Sequence, residues 1–176
     1  MIETARLRLI PFDDAHFQAL FQNDLHLLGH LLDVKTPKIW TTYSDAEDVL
    51  PFFYESYKDN GGEWASYFTV HKNDKMLLGT CGFKSAPDTE GVVEIGYEMH
   101  EGYRLQGLTT EAAQALVDFA FSSPNVSLVQ AHTISFSDNP SVSVLKKLGF
   151  ELIGLFNDPH DGEIWRWEKK KANNKY

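Results

Sequence analysis

The order of hydrophobic and polar residues predicts a chain built largely from strands. Seven segments have the pattern of half-buried or buried strands: residues 5–12, 64–72, 75–84, 91–99, 126–135, 150–157 and 163–170. The segment 91–99 alternates cleanly and places Glu94 and Glu98 on one face. Its other face carries the apolar residues Val93, Ile95, Tyr97 and Met99.

Four further segments have apolar residues at helical spacing, which predicts helices over 13–24, 44–62, 109–123 and 138–150. Pro51 lies inside the second of these, so we expect a kink or a late start there. Residues 25–43 are ambiguous. The predicted order β-α-α-β-β-β-α-β-α-β-β is that of a mixed α/β domain.

Length and composition limit the architecture. A chain of 176 residues with 43% hydrophobic residues fits one domain with a real core. We expect one domain over residues 1–170 and a flexible tail over 171–176, with the basic residues 169–171 frayed into solvent. No apolar run approaches the roughly 20 residues of a membrane span, and the N-terminus does not have the pattern of a signal peptide. The expected location is cytoplasmic.

Charge and cysteine content limit the partners. The net charge of −9 argues against nucleic acid as the main ligand and suits cationic partners such as amines. Cys81 is the single cysteine, so the chain contains no internal disulfide and no cysteine-based metal site. The seven histidines do not occur at a metal-ligand spacing such as H-E-x-x-H. We therefore expect neither a metal nor a membrane partner.

A glycine-containing turn, Arg104-Leu-Gln-Gly107-Leu-Thr109, separates the strand 91–99 from the helix that follows. Free N–H groups at a helix N-terminus, together with the helix dipole, attract anions. Gly107 would let the backbone approach a phosphate closely, and Arg104 adds positive charge. The residues alone favour an ordinary strand-to-helix connection, since such turns commonly carry glycine. The P-loop motif and G-x-G-x-x-G are both absent.

This turn, the strand "EIGYEM" and the helix "DNPSVSVLKKLGF" together resemble the GNAT family of acyl-CoA-dependent N-acetyltransferases. Within that family, "ETARLRL", "EIGYEM" and "VLKKLGF" are most similar to the RimJ/RimL-like branch of ribosomal-protein N-terminal acetyltransferases. The resemblance implies a mixed, mostly antiparallel sheet of about seven strands with helices on both faces. It also implies that strands 91–99 and 126–134 splay apart in a V, and that acetyl-CoA is the cosubstrate.

The resemblance also implies a set of cofactor-binding residues. The family's pyrophosphate motif, [RQ]-x-x-G-x-[GA], corresponds to Arg104, Leu105, Gln106, Gly107, Leu108 and Thr109, with Thr109 where glycine or alanine is usual. Backbone groups of Glu98, Met99 and His100 would pair with pantetheine, and Asn139 and Ser141 would contact the same arm. The usual asparagine lies three residues before the serine, whereas Asn139 lies two before Ser141. Asn139 could therefore simply cap its helix.

The chemistry that the resemblance implies requires a proton acceptor, because an alkyl ammonium has a pKa of about 10 and must lose a proton before it attacks a thioester. Many family members place a glutamate near the position of Glu94, which would act directly or through water. The alternative is that Glu94 and Glu98 are solvated residues or gather a cationic substrate. Many GNATs use a tyrosine as general acid, and that position is Leu145 here.

The sequence thus indicates transfer of an acetyl group from acetyl-CoA to a primary amine by direct attack in a ternary complex. The acceptor is either a protein N-terminus or a small amine such as a polyamine or a drug. A non-catalytic acyl-CoA-binding module is the alternative from another functional class. The sequence leaves open whether the protein is a monomer or a homodimer.

Overall fold

The computed structural model describes residues 1–43, 46–136, 139–159 and 162–172. The strands are β1 (Ile2–Glu3), β2 (Leu7–Pro11), β3 (Ser66–His71), β4 (Met76–Phe83), β5 (Val92–Tyr97), β6 (Leu128–Ile134), β7 (Glu151–Asp158) and β8 (Gly162–Lys170). The helices are α1 (Asp14–Phe21), α2 (Leu25–Leu32), α3 (Ala46–Asn60), α4 (Leu108–Ser122) and α5 (Pro140–Lys147). A 3-10 helix, Glu101–Tyr103, leads from β5 towards α4.

In the described part of the chain, eight strands form one sheet in the order β1-β2-β3-β4-β5-β6-β8-β7. All neighbouring strands are antiparallel except β5 and β6, which are parallel and are joined by the crossover helix α4. The predicted mixed, mostly antiparallel sheet is confirmed. It has one strand more than expected, because Ile2 and Glu3 pair with Leu9 and Arg8 of β2.

The parallel pairing between β5 and β6 is short. It contains three residue pairs and ends where Glu94 lies opposite Gln130. β5 continues to Tyr97 against β4, while β6 continues to Ile134 against β8. The two strands therefore separate, which confirms the predicted splay. We call the opening between residues 95–99 and 131–134 the β5–β6 gap.

Helices cover both faces of the sheet, as predicted. α4 and α5 cover one face, where Leu116 and Leu145 are fully buried with Val93 and Ile95 of β5. α1, α2 and α3 pack against the other face over β2, β3 and β4, around an aromatic cluster in which the rings of Phe12 and Phe68 stack 3.8 Å apart.

The same face continues onto β6 and β8 with partly exposed polar residues. Gln130 pairs with Glu94 across β5 and β6, and His132 pairs with Arg166 across β6 and β8. Because directly paired residues lie on one face, the polar face predicted for β5 extends across half of the sheet. Its polar groups are reachable from solvent, unlike those beneath α1–α3.

The start of each helix has a local cause. The Asp13 carboxylate accepts the His16 N–H at 3.0 Å and caps α1. Gly107 precedes α4 with φ at 76°, a conformation that favours glycine. Asn139 caps α5, and Pro140 occupies its first turn. α3 runs through Pro51 rather than starting after it; residues 44 and 45, where we predicted its start, lie outside the described residues.

The sequence did not predict α2, which lies in the ambiguous segment 25–43. This helix has only eight residues, and Gly29 near its middle weakens the helical signal. The fold requires that glycine, because a Cβ there would lie 2.8 Å from the Val34 carbonyl oxygen. Asp24 caps the helix by accepting the Leu27 N–H at 2.8 Å.

The longest helices, α3 and α4, have 15 residues each. A helix needs about 20 apolar residues to cross a bilayer. Within the described ranges, no helix combines the length and the apolar character of a membrane span.

The expectation that residues 169–171 are frayed is wrong. β8 extends to Lys170, and the Lys171 N–H donates to the Ser127 carbonyl at 2.9 Å. The Lys171 ammonium donates to the Ser123 carbonyl at 2.9 Å, and the Lys169 ammonium donates to the Leu148 carbonyl. Lysines placed this way satisfy carbonyls at helix C-termini, so these charges are tied to α4 and α5. Residues 173–176 lie outside the described part.

The aromatic cluster predicts a large stability effect at Phe12, whose ring contacts those of Phe17, Trp40, Phe53 and Phe68. We expect Phe12→Ala to lower the free energy of unfolding by about 3–5 kcal/mol, because it leaves a cavity that the sheet cannot close. Phe21→Ala is the matched control, since Phe21 is 54% exposed. Urea denaturation measures both; a Phe12 variant no less stable than the control would contradict this account.

Candidate active site

The N-terminus of α4 has no side-chain cap, because the N-cap residue is Gly107. The Glu111 N–H donates to the Gly107 carbonyl at 3.0 Å and begins the helical ladder. The N–H groups of residues 108–110 precede that bond and project from the start of a 15-residue helix. Together with the helix dipole they form a place for an anion. The geometry fits the predicted phosphate site.

Arg6, just before β2, holds this turn from the other end of the chain. Its Nη1 donates to the Gln106 carbonyl at 3.0 Å, and its Nε donates to Glu111 Oε2 at 2.7 Å. Its Nη2 lies 3.6 Å from where a Cβ on Gly107 would stand. The sequence placed Arg6 only as a strand residue, since nothing local shows a contact to a position 100 residues away.

Glu111 is the anion that fixes Arg6. Burial alone would raise the pKa of its carboxyl, but hydrogen bonds from the Thr4 hydroxyl and from the Arg6 backbone and guanidinium outweigh burial and hold the pKa below its ordinary value. These bonds are short: 2.6 Å from Thr4 Oγ1 and 2.8 Å from the Arg6 N–H. The carboxylate stays charged, and the turn keeps its anchor.

The predicted turn residues point in different directions. Arg104 donates from Nε to the Met99 carbonyl at 2.8 Å, so part of its guanidinium is directed at the end of β5. Leu105 has φ at 61° and a fully exposed side chain, a strained conformation for a residue other than glycine. Leu108 is buried in the core, so it can offer a ligand only its backbone. Thr109 lies on the first turn of α4.

The end of β5 still pairs with β4. The Glu98 N–H donates to the Thr80 carbonyl at 2.9 Å, and the His100 N–H donates to the Leu78 carbonyl at 2.7 Å. The N–H groups of Glu98 and His100 are therefore not free to bind pantetheine, and of the three predicted residues only Met99, within the described part of the chain, retains an unpaired N–H for it. N–H groups alternate sides along a strand, so Met99 directs its N–H away from β4 and towards the β5–β6 gap.

Glu98 is buried, so the alternative of a solvated residue is wrong for it. Its Oε1 accepts the hydroxyls of Thr41 and Thr80, each at 2.8 Å, and the Thr80 N–H at 3.0 Å. Its Oε2 accepts the Thr42 N–H and hydroxyl. We call Thr41, Thr42 and Thr80 the threonine cage. It ties the segment before α3 to the sheet, over a separation of 57 residues that sequence could not reveal.

Glu94 belongs to a polar network on the same face. Its Oε1 pairs with the Lys84 ammonium and lies 2.9 Å from His132 Nδ1, while its Oε2 accepts Gln130 Nε2 at 3.4 Å. The network continues to Arg166, whose Nε donates to His132 Nε2 at 3.4 Å. The Glu94 side chain is 14% exposed, so it is not a freely solvated carboxylate.

Gly96 provides space between Glu94 and Glu98 on this face. A Cβ at Gly96 would meet no atom within 4 Å. In the register that pairs Glu94 with Gln130, Gly96 is level with His132. The network therefore borders open space at the narrow end of the β5–β6 gap.

α5 closes the other side of the gap. The Asn139 side chain accepts the Ser141 N–H at 3.0 Å and donates to the Ile134 carbonyl at 3.4 Å, so it caps the helix. A cofactor contact for Asn139 or Ser141 stays a prediction; residue 138 lies outside the described part. Tyr97 donates its hydroxyl to the Ser141 carbonyl at 3.3 Å, and burial raises its pKa. Leu145, at the position of the usual tyrosine, is a fully buried apolar residue and cannot act as an acid.

These features fit a long ligand with an anionic end. Among the described residues, His100 Nε2 is one of two buried side-chain atoms without a hydrogen-bond partner. His100 follows Met99 in the segment that joins β5 to the 3-10 helix. Within the same residues, no group of three His, Cys, Asp or Glu side chains could hold a metal ion.

Residues 6–151 match the family model described as the acetyltransferase (GNAT) domain. The chain belongs to the GNAT acetyltransferase family. A relative named uncharacterized N-acetyltransferase YjdG, from Bacillus subtilis strain 168, is 33% identical over 86% of this chain and 90% of its own length. Another, uncharacterized N-acetyltransferase p20 of Bacillus licheniformis, is 27% identical over 89% of this chain and 84% of its own.

Solved structures show the same GNAT fold. The Salmonella typhimurium acetyl transferase that modifies the N-terminal serine of ribosomal protein L7/L12 superposes with a TM-score of 0.68, at 16% identity, over 96% of this chain and 97% of that one. The microcin C7 self-immunity acetyltransferase MccE, solved with acetyl-CoA and AMP, gives 0.65 at 16% identity, over 95% and 93%.

The Glu111 anchor predicts a pH-dependent stability difference. Because the folded-state pKa of this carboxyl is depressed, its contribution is present above the ordinary value of 4.5 and is lost as pH falls through the folded-state pKa. We expect Glu111→Gln to be less stable than the parent at pH 7, with the difference shrinking in acid. Urea denaturation across pH measures this. Glu90→Gln, at an exposed position, is the control; a gap that stays constant with pH would refute the anchor.

Proposed function

We propose that this GNAT acetyltransferase moves an acetyl group from acetyl-CoA to a primary amine by direct attack in a ternary complex. One observation carries the proposal: the uncapped N-terminus of α4 lies just beyond the strand end that borders the β5–β6 gap. An anion-binding site and an open gap in the sheet are thereby joined by the short segment 98–107. Acetyl-CoA has the matching form, with phosphates at one end and a thioester at the other.

The N–H groups of residues 108–110 would hold the pyrophosphate, with Gly107 allowing close approach and Arg104 adding charge. Pantetheine would lie in the gap along Met99, whose N–H is directed there. The same N–H is suited to polarise the thioester oxygen as charge builds on it. Asn139 and Ser141 remain candidates for contacts from the α5 side.

The acceptor must approach from the polar face, where Glu94, Gly96 and His132 border open space. A primary amine needs a proton acceptor there, and the Glu94–His132 pair is the candidate. The acceptor is a protein N-terminus or a small amine. The likeness to the L7/L12-modifying enzyme supports the first, and the net charge of −9 suits both. We propose a cytoplasmic monomer or homodimer.

Calorimetric titration with acetyl-CoA tests the cofactor directly, with ATP and NAD as controls. We expect selective binding that Gly107→Glu weakens roughly tenfold or more, since the new carboxylate repels phosphate at the helix start. Gly61→Glu is the matched control, because Gly61 also has positive φ, 71° against 76°, and has open space around it. Normal acetyl-CoA affinity in the Gly107 variant would refute the phosphate site.

Glu94→Gln separates an enzyme from a module that only binds acyl-CoA. We expect acetyl-CoA affinity to persist, because Glu94 does not belong to the phosphate turn. Turnover should fall about tenfold or more, because the Glu94–His132 pair loses its carboxylate. CoA-thiol release in the presence of amines measures turnover. Absence of turnover in the parent protein, despite binding, would favour the non-catalytic module.

A further inference from the structure

His132 has the surroundings of a proton-accepting imidazole. Its Nδ1 lies 2.9 Å from Glu94 Oε1, and its Nε2 lies 3.4 Å from Arg166 Nε. Arg166 can only donate, so Nε2 accepts and Nδ1 carries the hydrogen that Glu94 accepts. These contacts fit a neutral imidazole in one tautomer, with a carboxylate behind it. Carboxylate, imidazole and substrate are arranged in this order in histidine-based proton transfer generally.

The position of His132 also separates it from Glu94. Glu94 stands at the last residue pair between β5 and β6, whereas His132 lies two residues farther along β6, where the strands have separated. The space across from His132 is that above Gly96, which has no side chain to fill it. His132 thus lies farther along the gap than Glu94 does.

The bond to Nε2 is long. At 3.4 Å it is longer than a normal N–H···N contact. The Arg166 guanidinium also stacks on the Phe156 ring, 3.9 Å from its centre, which gives the guanidinium a second partner. Glu94 has three donors among the described residues, with Lys84 and His132 on Oε1 and Gln130 on Oε2. In the same part of the chain, His132 Nε2 has a single donor, over a long contact that an acceptor ammonium can replace.

We propose that His132 is a catalytic residue whose Nε2 takes the proton from the acceptor ammonium, and that Glu94 acts through it as a positioning residue. This rests on the proposed acetyl transfer. The ammonium gives one proton to Nε2, and the freed amine nitrogen forms a bond to the thioester carbon. The carbon–sulfur bond breaks, and sulfur leaves with its electron pair. The nitrogen then loses a second proton; one of the two released protons goes to sulfur and the other to solvent.

The test compares His132→Gln, Glu94→Gln and the double variant for CoA-thiol release from acetyl-CoA. The acceptors are spermidine and pentapeptides that begin with Ser, Ala or Met. We expect His132→Gln to lower kcat by about 100-fold or more, with unchanged acetyl-CoA affinity and melting temperature. Glu94→Gln should lower kcat less, because glutamine still accepts the Nδ1–H. The double variant should be no slower than His132→Gln, as expected if Glu94 acts through His132.

Two further measurements guard against a purely structural effect. Free imidazole should partly restore turnover in His132→Ala, and His26→Gln, at an exposed position on α2, should behave as the parent. A Glu94 variant slower than the His132 variant, or multiplying effects in the double variant, would overturn the assignment. So would absence of rescue by imidazole. If the parent binds acetyl-CoA but acetylates none of these acceptors, the proposed transfer fails, and this assignment fails with it.

Discussion

The short parallel ladder between β5 and β6 is the constraint on which the site depends. Its three residue pairs join the half-sheet β1–β5 to the half-sheet β6–β8–β7. If the ladder were longer, the backbone groups near Met99 would be hydrogen-bonded to β6. Without it, Glu94 and His132 would not share a face at bonding distance. The site exists because the ladder stops at Glu94 while both strands continue.

Two polar anchors hold the β5 side of this opening in place, and both span long stretches of sequence. Arg6 and Glu111 fix the turn before α4 to the start of β2. Glu98 and its threonine cage fix the segment before α3 to the strand end. A charged group with several hydrogen bonds sets position more narrowly than apolar packing does. The phosphate end and the acceptor side are thus anchored separately, one on each face of the sheet.

The sequence predicted what local pattern controls. Alternation identified the seven longer strands, the glycine turn indicated the anion site, and the family resemblance predicted the splay. It missed what depends on distant contacts: Arg6, His132, and the burial of Glu98. Eight residues around Gly29 gave too little periodicity to reveal α2. Lysines 169–171 looked like a solvated tail because no local signal shows that carbonyls of other elements accept their hydrogen bonds.

The polar network at the gap also answers a question of stability. The network links the C-terminal end of β4 to β8 through Lys84, Glu94, His132 and Arg166. It crosses the junction where the backbone pairing between β5 and β6 ends. Apolar residues of similar volume would often stabilise such a partly buried position as well or better. Apolar residues, however, could not hold an imidazole in one tautomer beside open space. We therefore attribute the polar network at this position to function rather than to stability. The same bonds that bridge the two half-sheets therefore prepare the group that accepts the proton.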